Sequence, residues 1–344
     1  MNPIKIYDKY KILNQIRKRK NEIKIGEKAL FYEFNDLSVS NLRKSAALFV
    51  LIGIPEDIGV RANFGRGGAQ TAWKPALESF LNMQHNYFLN AENILVLGEV
   101  ETDDLMKAAE ELNPKTKEDL ERLRYLTSEI DTRVSNIIET VVAAGKIPII
   151  IGGGHNNAYG NIKGSSRALQ QKINVINCDP HADFRPLEGR HSGNGFSYAY
   201  KENYVGRYSL FCMHEQYNTT DVLQEIQQNN TSVYFSSYED VFVRENKTFS
   251  ECLEQNISFA KNAPCGVEID LDAITNVPSS AKTSSGISPV QARQYAYRCG
   301  NKLNAVYFHI AEGAPVLSHI KADNKTGKLI AYLISDFIKG VSEK

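Results

Sequence analysis

The sequence predicts an α/β protein: one three-layer α/β/α domain on an eight-stranded parallel sheet. Three observations carry this prediction. Short apolar runs rich in β-branched residues recur from about residue 46 onward. Longer polar stretches of helical character separate them, and strands that alternate with helices form parallel sheets covered on both faces. Most of the histidines and carboxylates that suggest chemistry stand at the ends of the runs, where open α/β sheets bind small molecules.

In chain order the runs are 47–54, 94–97, 147–151, 173–178, 208–213, 232–236, 265–272 and 305–311. Between the second and third lies 115–144, strongly helical in composition and free of Gly and Pro. Pro114 and Gly145 bracket it as start and stop signals. No Pro-, Gly- or Ser-rich linker and no internal repeat divides the chain, which predicts one domain over 46–344. Residues 1–45 read differently. They are largely polar, with Ile12, Ile16 and Ile23 at helix-compatible spacing and six Lys/Arg between 17 and 28. They are expected to form an N-terminal helical extension whose basic side chains make a solvated face rather than a membrane- or RNA-binding arm.

Composition narrows the function classes. Forty basic and forty acidic residues cancel, so no nucleic-acid partner is expected. No run reaches the ~18 apolar residues of a membrane helix, and the first residues do not read as a secretory signal. Cys178, Cys212, Cys252, Cys265 and Cys299 are odd in number, widely spaced and without a CxxC pair. They are expected to be free thiols in a reducing cytoplasm.

Three segments carry the chemistry. Asp179-Pro180-His181-Ala182-Asp183 places three ligand-type side chains at period two after a strand. In Glu268-Ile269-Asp270-Leu271-Asp272, carboxylates alternate with apolar residues in a run that otherwise reads as interior. Carboxylates crowded on a buried face repel one another and lose solvation, and a divalent cation is the simplest compensation. In Gly152-Gly153-Gly154-His155 the glycines permit close backbone approach, and no GKS or GKT follows to suggest a phosphate loop. Together the segments offer two imidazoles and four carboxylates as ligands, without thiolate, a set suited to Mn²⁺. Six donors exceed what one catalytic ion needs, and two ions can activate a water at neutral pH.

These three segments resemble, in order and spacing, the GGGH, DxHxD and IDxD signatures of the ureohydrolase (arginase) family. The resemblance runs from about Phe49 to Pro315. It takes in Phe49-Val50-Leu51-Ile52-Gly53-Ile54-Pro55, Gly65-Arg66-Gly67-Gly68-Ala69 and Ala311-Glu312-Gly313-Ala314-Pro315. It implies that 46–344 is an arginase-like metallohydrolase domain with two Mn²⁺ ions per subunit, held by His155, Asp179, His181, Asp183, Asp270 and Asp272. It implies further that Glu312 binds the amidinium or guanidinium group of a small-molecule substrate and that the chain forms a trimer or hexamer. The charge balance and the lack of a long apolar run lead us to expect no nucleic-acid or membrane partner.

Two departures from the arginases point to a branch of the family. Arg185 stands where arginases carry a carboxylate-binding Asn, and Phe196 stands where they carry a histidine proton shuttle. Both resemble formimidoylglutamase, which hydrolyses N-formimino-L-glutamate to glutamate and formamide. Arg185 would anchor the acidic tail. The match is incomplete, because Ser192-Gly193-Asn194 is arginase-like and His191 offers a relocated shuttle. Ser192 and Asn194 are therefore candidate substrate-binding residues, and Asp183, Glu312 and His191 candidate catalytic ones. A guanidino substrate releasing urea is the alternative. A single-zinc deacetylase-like hydrolase would use fewer ligands, and a metal-free pseudoenzyme would not need all six.

Overall fold

Each of the eight apolar runs forms a strand in the computed structural model, which describes residues 3–318 and 324–344. The strands are β1 (Ile4–Ile6), β2 (Leu30–Phe31), β3 (Phe49–Gly53), β4 (Ile94–Val100), β5 (Ile147–Ile151), β6 (Ile173–Cys178), β7 (Val205–Met213), β8 (Val233–Ser237), β9 (Cys265–Asp270) and β10 (Ala305–Ala311). The sheet order is β1-β4-β3-β5-β10-β9-β6-β7-β8, with β2 also paired to β4. From β4 to β8 every pairing is parallel.

The sheet has ten strands among the described residues, not the expected eight. The additional two come from residues 1–45: β1 pairs antiparallel and β2 parallel with β4. Strands of three and two residues are too short to show period-two alternation, so the helical reading of this segment took in only its short helices, Lys9–Leu13, Ile25–Lys28 and Val39–Lys44. Ile12 and Ile16 are buried as their spacing implied, whereas Ile23 is exposed.

Alternation along the strands builds two cores. Phe49 and Leu51 of β3 face one core, and Val50 and Ile52 face the other. Helices Trp73–Leu81, Phe249–Ala260, Pro289–Lys302 and Lys325–Ser342 pack the first, and Lys117–Ala143 and Asn157–Leu169 pack the second. This is the three-layer arrangement. Each fully buried aliphatic or aromatic side chain contributes about 1.5–3 kcal/mol. Thr116 caps helix Lys117–Ala143 by accepting the Asp119 N–H, and Gly145 ends it with φ +77.

The order β5-β10-β9-β6 fixes the site. These four strands are neighbours at the centre of the sheet, and all run the same way. Their carboxyl ends therefore lie side by side, bringing together His155, Glu312, Asp270 with Asp272, and the segment 179–183.

Candidate metal centre and substrate crevice

The turn after β5 aims His155. Gly152 and Gly153 have φ +87 and +73, and a Cβ on Gly153 would lie 2.4 Å from Asn157 Nδ2. The buried Glu56 carboxylate holds the turn from below. Its Oε1 accepts the Gly154 N–H (3.0 Å) and Asn157 Nδ2 (2.6 Å), and its Oε2 accepts the Ile58 N–H (2.7 Å). His155 Nδ1 is thereby placed 2.9 Å from Asp179 Oδ2, 3.2 Å from Asp183 Oδ2 and 3.2 Å from Asp270 Oδ2. One ring nitrogen carries at most one proton, so three carboxylates converge where one hydrogen bond can form.

The segment after β6 wraps the same point. Asp183 adopts φ +46, so the chain curls instead of continuing as a strand. Asp179 spans the cluster: Oδ2 faces His155, and Oδ1 lies 3.5 Å from His181 Nδ1 while accepting the His181 N–H at 2.7 Å. After β9 a tight turn returns the Asp272 N–H to Asp270 Oδ1 at 2.6 Å. Two ligand groups result: His155, Asp179, Asp183 and Asp270, and His181, Asp270 and Asp272, with ligand atoms in each group within 4.8 Å of one another. Asp270 belongs to both. All six residues read from the sequence as metal ligands meet here.

The electrostatics fit a cation. Burial and the neighbouring Asp272 and Asp179 push Asp270 well above the carboxylate range, and burial also raises Asp183 and Asp272. Against the opposing effect of burial, hydrogen bonding to Asp179 raises His181 to about 10. The cluster thus draws protons to offset excess negative charge, and a divalent ion would supply that positive charge instead. Imidazole and carboxylate donors suit Mn²⁺.

A crevice of ≈ 560 Å³ opens over the cluster, lined by His181, Asp183, Arg185, Ser192, Tyr217, Asp270, Asp272, Ser280 and Glu312 among others. Glu312 is buried, with φ +63. Its Oε1 accepts the His155 N–H (2.9 Å) and its Oε2 accepts Ser280 Oγ–H (2.8 Å). Burial and Asp272 push it up to about 8. Arg185 is 45% exposed at the rim, where Nη2 pairs with Glu188 Oε1 (2.9 Å) and Nη1 donates to Asn63 Oδ1 (2.9 Å). Ser192 Oγ lies on the wall, 3.3 Å from Asn63 Nδ2.

The arginase family model matches residues 47–339. This chain belongs to the arginase family. It is 26% identical over 312 residues to a formimidoylglutamase of Streptococcus gordonii, covering 88% of this chain and 87% of that protein. Two solved structures share the fold. Formiminoglutamase of Trypanosoma cruzi with Mn²⁺ aligns with TM-score 0.72 and 19% identity, over 94% of this chain and 100% of that one. Formimidoylglutamase of Bacillus subtilis aligns with TM-score 0.73 and 15% identity, over 95% of each chain.

Two candidate residues of this family member do not reach the crevice. His191 was read as a shuttle, yet its ring is fully buried. Nδ1 accepts the Gly193 N–H (3.1 Å), and Nε2 lies 3.1 Å from Glu188 Oε1. Burial and Arg185 hold its pKa down to about 4. Asn194 was read as substrate-binding, but its side chain ties its own loop together, donating to Gly189 O (2.8 Å) and accepting the His191 N–H (3.1 Å). The tight turn Ser192–Asn194 sends both side chains inward and leaves Ser192 on the wall. Phe196 is also buried, stacked on Tyr208 and edge-on to the His155 ring.

Other residues near the centre were given no role from sequence. Glu56 and His309 carry no local motif. Glu268 was visible as a third carboxylate beside Asp270 but lacked an assignment. Arg190 bonds Asp131 of helix Lys117–Ala143 (Nε to Oδ2, 2.8 Å) and Asn156 O (3.0 Å), fastening the 186–195 loop behind the His155 turn.

Proposed function

We propose that the protein is a dinuclear manganese hydrolase that cleaves a C–N bond of a linear amidine, with N-formimino-L-glutamate as substrate and glutamate and formamide as products. The observation that carries the reading is the pair of ligand groups sharing Asp270 beneath a crevice that ends in Glu312. The names of the relatives, and the Mn²⁺ in the Trypanosoma cruzi structure, support the metal and the substrate.

In this reading His155, Asp179, Asp183 and Asp270 would hold one ion, and His181, Asp270 and Asp272 would hold the other. Such a pair supplies activated water at neutral pH and offsets developing negative charge. The chain's own groups do the rest. Glu312, fixed by the His155 N–H and Ser280, receives the planar amidinium cation, whose charge favours its ionised form. Arg185 attracts the acidic tail at the rim. Asp183, on the crevice wall, is the proton carrier to the leaving nitrogen, since His191 faces away. A homo-oligomer, trimer or hexamer, and a cytoplasmic setting complete the proposal. Five free, buried cysteines support the latter. Ser192 on the wall favours a second reading, in which a guanidino compound releases urea.

The test is a substrate panel scored separately for formamide, urea and ammonia, with Mn²⁺-loaded and chelated protein. Formamide from formimino-glutamate, abolished by chelation, restored by Mn²⁺ and lost in Asp183→Ala, is the expected result. Urea from guanidino compounds alone would select the second reading, and full turnover without metal would overturn both.

A further inference from the structure

Behind the metal centre lies a buried cluster that the reaction as described does not use. Glu268 on β9 is fully buried. Its Oε1 accepts Tyr307 Oη–H at 2.7 Å, and its Oε2 lies 2.6 Å from His309 Nδ1. His309 Nε2 in turn lies 3.3 Å from the carbonyl of Gly152, in the turn that carries His155. The same Glu268 Oε2 stands 3.4 Å from His155 Nε2, the ring nitrogen opposite the one that faces Asp179, Asp183 and Asp270. His155 Nε2 is buried and makes no hydrogen bond, with Glu268 Oε2 the acceptor that faces it.

A neutral imidazole offers a lone pair on one nitrogen only, and the other must keep its proton and find an acceptor. A buried carboxylate behind a ligand histidine fixes the tautomer and the ring plane, and makes the ligand more basic. We propose that Glu268 is a positioning residue for the ion on the His155 side. It takes the His155 Nε2–H, so that the Nδ1 lone pair points into the carboxylate basin. Tyr307 and His309 hold Glu268 in place. Among the described residues the Glu268 side chain meets Tyr307, His309 and His155 and no ligand of the His181 group, so its influence falls first on the ion on the His155 side. This inference rests on the dinuclear reading proposed above.

Mn²⁺ titration of the wild-type, Glu268→Gln and Glu268→Ala proteins, followed by electron paramagnetic resonance, separates the two claims. Wild type is expected to bind two ions and give a spin-coupled spectrum. Glu268→Gln retains an acceptor oxygen but loses the charge, and should weaken one ion about tenfold. Glu268→Ala should weaken it about 100-fold, the upper end for such outer partners. At Mn²⁺ concentrations that saturate wild type, Glu268→Ala should show the uncoupled six-line signal of a single ion, with the other ion's affinity unchanged. Should Glu268→Ala fail to fold, Glu268→Gln and His309→Gln, each expected to weaken the same ion about tenfold, carry the test. Wild-type affinity for both ions in the folded variants overturns the proposal and leaves the dinuclear centre standing. Equal weakening of both ions together with a lower Tm also overturns it, by showing general support only. A wild-type protein that binds no Mn²⁺ overturns the dinuclear reading and this proposal with it.

Discussion

Arg185 already has partners, and their strength decides what it can do for a substrate. Its pair with Glu188 sits at an open rim, 45% exposed on the arginine side. Exposed pairs of this kind contribute about 0–1 kcal/mol, so an incoming carboxylate can displace Glu188 at small cost. Hydrogen bonds to charged groups contribute about 1.5–3 kcal/mol, or roughly 10- to 100-fold at ~1.4 kcal/mol per tenfold. Arg185→Ala should therefore lower kcat/KM for an acidic-tailed substrate by that factor and spare or improve cationic-tailed analogues. The ratio of the two activities is the measurement, and an unchanged ratio would assign Arg185 to the Glu188 pair alone. His191 lies on the other side of the same loop. His191→Phe should leave kcat within a few-fold, well short of the roughly 10²–10⁴-fold loss of a general acid. It should cost about 1–3 kcal/mol of stability, because the Gly193 N–H loses its acceptor. The pH dependence follows from the ring's depressed pKa of about 4, caused by burial and by Arg185. An unfolded histidine takes up its proton near pH 6.5, whereas the folded ring stays neutral until about pH 4. Stability is therefore lost as pH falls through that window, by at most ~1.4 kcal/mol per pH unit. Urea unfolding at pH 7 and pH 5 should show this decrement in wild type and a smaller one in His191→Phe.

Elements are held to one another by contacts that one sequence read alone does not pair. The eight strands from β3 to β10 were legible because burial on both faces leaves near-continuous apolar runs. The ligands Asp179, His181 and Asp183, and Asp270 and Asp272, were legible because they alternate at strand ends within short segments, and His155 because it follows three glycines after a strand. Glu268 and His309 lie 41 positions apart, Glu56 and Asn157 101 apart, and Asp131 and Arg190 59 apart. No local pattern connects the two partners of such a pair. His191 shows the opposite error. Adjacency to Ser192 suggested shared duty at the crevice, but consecutive residues of a tight turn point in different directions. The Asp131–Arg190 pair, nearly solvent-free and flanked by Tyr159 and Tyr198 at 4.8 Å from the guanidinium, offers a test at this scale. Breaking a buried pair leaves one charge uncompensated and costs about 3–5 kcal/mol. Arg190→Ala and Asp131→Ala should each lose stability of that order in urea unfolding, and the double variant should lose less than the two losses added. Additive losses would show that the two side chains act separately.

At the scale of the molecule, metal and N-terminal segment make separate demands. Ions that bind only the folded chain add about 2.7 kcal/mol at 100 times Kd, so Mn²⁺ should raise Tm and chelation should lower it. A Tm indifferent to Mn²⁺ would count against a centre built by the fold. The segment 1–45 acts at the far edge of the sheet. Both β1 and β2 pair with β4, every residue of which is buried. Lys5 Nζ lies 3.3 Å from Glu99 Oε1, and Tyr7 Oη accepts the Trp73 indole N–H at 2.8 Å. Ile12, Ile25 and Phe31 join the same core as Trp73 and Phe80. At about 1.5–3 kcal/mol each, those three side chains alone approach the 5–15 kcal/mol of net stability that ordinary domains possess. Their removal would also leave β4 as a long apolar open edge, which invites pairing with other chains. A chain of residues 46–344 should therefore aggregate or unfold at low urea, although it retains all six proposed ligands. A separable extension predicts the contrary: a truncated chain that melts near the wild-type Tm, binds two Mn²⁺ and turns over at the full rate. Light scattering and a urea melt of the truncated chain, with and without saturating Mn²⁺, distinguish the two. If Mn²⁺ restores a folded species, it should still show the lower midpoint expected of an uncovered edge, because the ions sit at the strand ends and do nothing to pair β4.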